Sequence, residues 1–239
     1  MLDVLTRVLR HPVDYAGALR SHTLYLREHR ELGDNMHTFV FGMDRPFTWH
    51  AGQHALFTLP GQDVRGKSWR AFSIASSPRE GVVRIATIIP DSSSDFKKKL
   101  LHLRHDDPVR IFGPFGEFHA RGVQHIIGVA GGIGITPFRA LAYDIRRQHQ
   151  KGMRLTLIYS ARSTFAFKDE FDSWQNDRFR ITYVHTPDEV ERALATYAEL
   201  HKNRAHYYIS GPPGMITAVR DSYIKLGIRK IVHDPFTGY

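Results

Sequence analysis

Arg70-Ala71-Phe72-Ser73-Ile74-Ala75-Ser76-Ser77-Pro78 opens on a fixed positive charge, alternates an aromatic, a hydroxyl and aliphatic side chains, and closes on a proline. Alternation of period two reads as a strand, with Arg70, Phe72 and Ile74 on one face and Ala71, Ser73 and Ala75 on the other. A strand carrying a guanidinium, a ring and a hydroxyl can hold a flat, hydrogen-bonding, phosphorylated ligand. Alone, the stretch reads equally well as a half-buried strand with an exposed arginine. Its meaning depends on its surroundings.

Outward from it lie further short strands, over 22–28, 36–41, 54–59, 82–89 and 108–112, punctuated by turns such as Pro60-Gly61. Short strands with Gly and Pro turns predict an antiparallel barrel. One helix interrupts it near 95–103. The preceding Asp91-Ser92-Ser93-Ser94 supplies capping side chains, and the helix start offers free N–H groups suited to phosphate. The run Lys97-Lys98-Lys99 beside Leu100-Leu101 reads as the solvated face of that helix.

After a sharp turn at Gly113-Pro114-Phe115-Gly116 the rhythm changes. Strands over 125–130, 154–159, 179–184, 206–209 and 230–232 alternate with helices over 138–149, 168–174, 188–200 and 214–226. Alternating strands and helices predict a parallel sheet covered on both faces. The expected fold is therefore an antiparallel β-barrel followed by a Rossmann-like α/β domain. The expected domains are an amphipathic helical extension over 1–20, the barrel over 21–120 and the α/β domain over 121–239. In the extension Leu2, Leu5 and Leu9 share a helical side, and packing on its own domain is expected over membrane contact.

The 239 residues suffice for two domains with real cores. No cysteine is present, which removes disulfides, thiolate nucleophiles and cysteine-held iron–sulfur clusters. The formal charge of +9 favours acidic partners. Its scatter argues against nucleic acid. The longest mostly apolar run, over 126–138, is too short to span a bilayer and is broken by glycines. These features lead to the expectation of a cytoplasmic protein without an integral membrane segment.

Ala130-Gly131-Gly132-Ile133-Gly134-Ile135-Thr136-Pro137 joins the first strand and first helix of the α/β half. Glycines there let backbone N–H groups approach a pyrophosphate, and the helix N-terminus favours its charge. Tyr159-Ser160-Ala161-Arg162-Ser163 ends the second strand. An arginine at that place accommodates a 2′-phosphate, which favours NADPH over NADH. Ser210-Gly211-Pro212-Pro213-Gly214-Met215 is a stiff turn opening a helix.

In order and spacing, these motifs and Gly113-Pro114-Phe115-Gly116 resemble the ferredoxin–NADP⁺ reductase family across nearly all of the chain after about residue 22. The terminal Asp234-Pro235-Phe236-Thr237-Gly238-Tyr239 is similar to an aromatic tail seen there. The resemblance implies a flavin-binding barrel and an NAD(P)H domain, with the flavin in the cleft between them. It implies that Arg70 pairs with FAD phosphates, that Phe72 lies against the isoalloxazine, and that Ser73 hydrogen-bonds near flavin N5. Ile74, Thr87, Ile88 and Ile89 would border the flavin, with Ser94, Phe96 and Lys97 near its pyrophosphate or adenine. Gly132, Gly134 and Thr136 would hold the pyridine nucleotide, Ser160 and Arg162 its adenosine phosphate end, and Gly211, Pro212 and Met215 its nicotinamide side. Phe236 or Tyr239 would stack on the flavin.

Three departures stand out. Ser210 replaces a cysteine common in the family beside the hydride path. Residues continue past Phe236. No cysteine-rich cluster domain is present, so electrons must leave to a separate acceptor. The implied activity is hydride transfer from NADPH (or NADH) to FAD, with FMN the other flavin, and then electron delivery to an acidic carrier such as ferredoxin or flavodoxin. Alternatives are reduction of free flavin, ferric iron or quinone, or a flavin- and nucleotide-binding regulatory subunit without turnover. The histidine pairs His50/His54 and His102/His105 have metal-like spacing but lack partnering carboxylates, and no metal is expected. Asp169 and Glu170 open a helix, where they stabilise its dipole. Asp234 is a candidate proton donor to reduced flavin.

Overall fold

The computed structural model describes residues 12–120, 122–146 and 152–233. Residues 1–11 of the expected helical extension over 1–20, Asp234, and both candidate stacking aromatics, Phe236 and Tyr239, lie outside the described residues. The chain divides into two compact units, Met1–His119 and Ala120–Tyr239.

The first unit is an antiparallel sheet in the order β4-β3-β6-β1-β2-β5, as the strand rhythm predicts. Its strands are β1 (Ser21–Gly33), β2 (Met36–Met43), β3 (His54–Thr58), β4 (Trp69–Ser73), β5 (Val83–Ile88) and β6 (Pro108–Phe115). The edges join where the chain after β4 meets β5. There Ala75 N–H donates to Arg84 O at 2.7 Å. Ser76 Oγ donates to the Val82 carbonyl and accepts from Arg84 N–H. Closing the sheet removes free edges.

Alternation fills the interior with Leu24, Phe39, Phe41, Phe57, Phe72, Ile74, Ile85 and Ile111. The helix α2 (Asp95–Leu101) contributes Phe96 and Leu100 to that cluster. The expected turn at Gly113-Pro114 does not occur. Gly113 takes φ +137, and its N–H donates to Arg20 O, so β6 continues to Phe115. The short α1 (Pro12–Tyr15) and the following turn pack on β6. There Gly17 comes so close to the Pro114 carbonyl that a Cβ would overlap it.

The second unit is a parallel sheet in the order β11-β10-β7-β8-β9. Its strands are β7 (His125–Gly131), β8 (Arg154–Ser160), β9 (Phe179–Val184), β10 (His206–Ser210) and β11 (Ile231–His233). Helices α3 (Thr136–Arg146) and α4 (Lys168–Trp174), then α5 (Pro187–His201) and α6 (Pro213–Lys225), alternate with them. Ile127 and Val129 of β7 face Leu194 of α5 and Val219 and Tyr223 of α6. Gly128, turned the other way, leaves room for Phe138 of α3, whose ring a Cβ would strike. Helices thus cover both faces, as expected of a parallel sheet. Among the described residues no helix is long and apolar enough to cross a membrane.

Tyr223 OH is buried in this core with no hydrogen-bond partner, and burial holds its pKa far up. A buried unpaired hydroxyl costs about 1–3 kcal/mol of desolvation. Tyr223→Phe is therefore expected to preserve or raise stability by about 1 kcal/mol in urea unfolding. A loss of that size would show that the hydroxyl is satisfied.

Candidate functional site

Each unit carries one cluster of the residues singled out in the sequence. In the first unit the cluster joins the start of β4 to α2. Arg70 donates from Nη1 to the carbonyls of Lys67 and Trp69, both at 2.8 Å. Its guanidinium lies over the Phe96 ring at 5.7 Å. Phe96 in turn tilts against Phe72 at 6.3 Å.

Lys97 is not on a solvated face. Its residue is only 7% exposed, and its ammonium donates to the Ile88 carbonyl at 3.0 Å. Of the expected solvated lysines only Lys98 is exposed, and Lys99 pairs with Asp95. Burial, then the charge of Arg70, lowers the Lys97 pKa to about 8. Burial also lowers that of Arg70. Two cations thus share a partly desolvated corner, and Arg70 forms no ion pair among the described residues.

Ser94 occupies the N-cap position of α2 but makes no capping bond. The expected cap is absent, and Ser94 Oγ is buried without a partner. A guanidinium and an ammonium share one corner, and an unsatisfied hydroxyl stands at the start of the helix that carries the ammonium. That set fits the phosphates of a flavin nucleotide.

Alternation sets which way the other expected flavin contacts face. Phe72 is 5% exposed and packs edge-on against Phe57 at 5.4 Å. It belongs to the barrel core. Ile74 is fully buried. Thr87 and Ile89 turn inward with Ile85, so Ile88, 37% exposed, is the one of the three that presents a side chain outward. Ser73 is half-buried at the end of β4. His54, deep in this unit and edge-on to Phe115 at 4.4 Å, is held neutral by burial, its pKa lowered to about 3.

In the second unit the loops after β7 and β10 pack on one another. A Cβ on Gly131 would overlap Met215 Sδ and meet Pro212 Cδ at 3.1 Å. A Cβ on Gly134 would overlap the Ser210 carbonyl. Gly211, at φ +158, lies 3.1 Å from the Gly131 backbone by the same measure. Glycine at these places is thus a requirement of loop against loop. Gly132 differs. It takes φ +51 and faces open space, which leaves its backbone free to approach a ligand.

Thr136 Oγ1 donates to the Ile133 carbonyl at 3.1 Å, so this hydroxyl braces the turn. Ser160 pairs with Gly131 across β7 and β8. Arg162 is exposed just beyond β8 and forms no hydrogen bond or ion pair among the described residues. Ser210 is buried, its carbonyl against Gly134.

The sequence motifs give no role to Arg139, which the structure makes central. It is 1% exposed, pairs through two nitrogens with Glu170, and lies over the rings of Phe167 and Trp174. It locks α3, and with it the glycine turn, to α4. An arginine inside the apolar run Phe138 to Ala142 is the signal in the sequence that could have found it. Glu170 has this partner beyond its place at a helix start.

Residues 129–221 match the family of the oxidoreductase NAD-binding domain. The F component of the Na⁺-translocating NADH-quinone reductase of Yersinia enterocolitica is 32% identical over 200 residues, covering 71% of this chain and 49% of that protein. The chain spans about half the length of the curated relatives it matches. The cytochrome P450 reductase GcoB of Amycolatopsis superposes with a TM-score of 0.76 at 20% identity, over 92% of this chain and 70% of that one. A ferredoxin NADP⁺ reductase from Neisseria gonorrhoeae, solved with FAD and NADP, gives a TM-score of 0.71 at 17% identity over 90% of this chain and 98% of that one.

A lysine whose pKa falls on folding costs stability while it is charged. For Lys97 that cost is fully present below pH 8 and is relieved as pH rises toward 10.5. Lys97→Gln is therefore expected to be more stable than the parent near neutral pH, with its advantage shrinking between pH 8 and 10 in urea unfolding. A difference independent of pH would contradict the burial of this charge.

Proposed function

We propose that this chain, which has the two-domain fold of the ferredoxin–NADP⁺ reductases, is an FAD-dependent oxidoreductase that takes hydride from NAD(P)H and delivers electrons to a separate acceptor in the cytoplasm. The observation that carries this reading is the corner where Arg70 and Lys97 come together, with the unsatisfied Ser94 hydroxyl at the start of the same helix, a donor set suited to an anion. Bound FAD would supply the chemistry, accepting a hydride and releasing electrons singly or in pairs.

The chain's own part is binding and orientation. Arg70 and Lys97 neutralise the FAD phosphates, and Ser94 donates to them. Ser73, at the end of β4, orients the flavin ring near N5, and Phe72 and Phe96 hold Arg70 from beneath. In the second unit the Gly132 backbone approaches the nucleotide pyrophosphate, and Gly134 and Thr136 keep the turn in shape. Gly211, Pro212 and Met215 form the nicotinamide side, and Ser210 fixes that loop through its backbone. No side chain has to ionise for hydride to move.

Arg162 favours a 2′-phosphate, whereas the curated relatives are named for NADH, so both nucleotides serve as donors. For the acceptor, the relatives' names favour a quinone-linked route. The charge of +9 supports a second reading, an acidic carrier such as ferredoxin or flavodoxin.

With FAD-loaded protein and no oxygen, NADH or NADPH is expected to bleach the flavin bands within seconds. Bands that persist with both nucleotides would end this reading. Arg162→Ala should slow reduction by NADPH about tenfold and leave NADH unchanged. Turnover with a soluble quinone should be insensitive to salt. Turnover with ferredoxin that exceeds it and falls steeply with salt would move the acceptor to the acidic carrier.

A further inference from the structure

The hairpin of β1 and β2 brings together two histidines that the flavin and nucleotide reading leaves unused. His29 Nε2 and His37 Nδ1 stand 3.1 Å apart. The His29 ring lies flat on Phe39, with centroids 4.5 Å apart and planes 4° apart, so its orientation is fixed by the barrel core. Strand register explains the meeting. His29 pairs with Phe39 and Glu31 with His37. Paired residues share a face of the sheet, so His29, Glu31 and His37 lie on the face that Phe39 lines further in.

From the other side, β5 places Thr87 opposite His37. Thr87 is 1% exposed, and its Oγ1 has no hydrogen-bond partner. An unsatisfied hydroxyl in register with the imidazole pair is a second, independent sign of a polar occupant. Among the described residues no three His, Cys, Asp or Glu side chains are already gathered for a metal. Here two imidazoles are gathered, and one carboxylate stands in the register next to them.

We propose that His29 and His37 bind a divalent transition-metal ion, Zn²⁺ by ligand type, with Glu31 as third ligand and water completing the shell. Two nitrogens 3.1 Å apart, each about 2.05 Å from an ion, subtend about 98° at it. That lies between a right angle and a tetrahedral angle, within reach of Zn²⁺ after a small ring movement. Imidazole and carboxylate together suit Zn²⁺, Ni²⁺ or Cu²⁺ over Mg²⁺ or Ca²⁺. Glu31 reaches the ion by rotating its exposed side chain. The Thr87 hydroxyl hydrogen-bonds water held by the ion, in the way second-sphere groups orient ligands. The site stands on the barrel alone and does not depend on the flavin reading.

The test uses the full chain, stripped with a chelator and titrated with ZnCl₂ against a chromophoric competitor at pH 7.5. One ion per chain is expected in the micromolar range. His29→Asn and His37→Asn should each weaken it at least about tenfold, and Glu31→Gln less. His105→Asn, which alters an exposed histidine elsewhere, should leave it unchanged. Amide spectra of the unaltered protein provide a reading free of folding defects, with ZnCl₂ shifting residues 28–38 and 86–88 first. Absence of binding, binding unaffected by both histidine variants, or shifts confined to other segments would each overturn the site. The 3.1 Å approach would then be a hydrogen bond between imidazoles.

Discussion

Arg70 and Lys97 are like charges held in one half-dry corner of the barrel, and that arrangement is unfavourable without an anion. Burial raises the cost of each charge, and the charge of Arg70 raises that of Lys97 further. The surrounding structure nonetheless fixes both. Two backbone carbonyls and the Phe96 ring hold Arg70, and the Ile88 carbonyl holds Lys97. Keeping both cations in place is understandable if the occupant carries more than one negative charge, as a pyrophosphate does. The aromatic core beneath them, Phe57, Phe72 and Phe96, is the floor that keeps this corner in shape.

The second unit solves a different problem. Backbone has to come close to backbone where β7 and β10 end, because that is where a nucleotide needs bare N–H groups. Gly131, Gly134 and Gly211 permit that approach, and Met215 and Pro212 fill the space beside Gly131. Arg139 with Glu170 fixes the helix that follows. Rigidity here comes from packing, which leaves Gly132 as the one glycine of the turn that faces open space.

Much of this was legible in the sequence, because strand alternation and strand–helix alternation are set locally. The strand over 179–184 and the helix over 168–174 stand where the pattern predicts them. The misreadings have a shared cause, since burial depends on what folds over a residue. Lys97 reads as solvated until the barrel end is placed beside α2. Ser94 reads as a cap until its hydroxyl is seen to make no such bond. Gly113-Pro114 reads as a turn, but a strand that holds a glycine in an unusual conformation can continue through it. The pairing of His29 with His37 depends on strand register and has no trace in local spacing.

The most direct test of the account is the affinity of the full chain for FAD and for riboflavin, which lacks phosphates, read by fluorescence in the parent and in an Arg70→Gln, Lys97→Gln double variant. The account predicts that FAD binds the parent at least about a hundredfold more tightly than riboflavin, as two charge-assisted contacts would give. It also predicts that the gap largely closes in the double variant while riboflavin affinity holds. An equal gap in both proteins would show that the phosphates are held elsewhere and would contradict the role given to this corner.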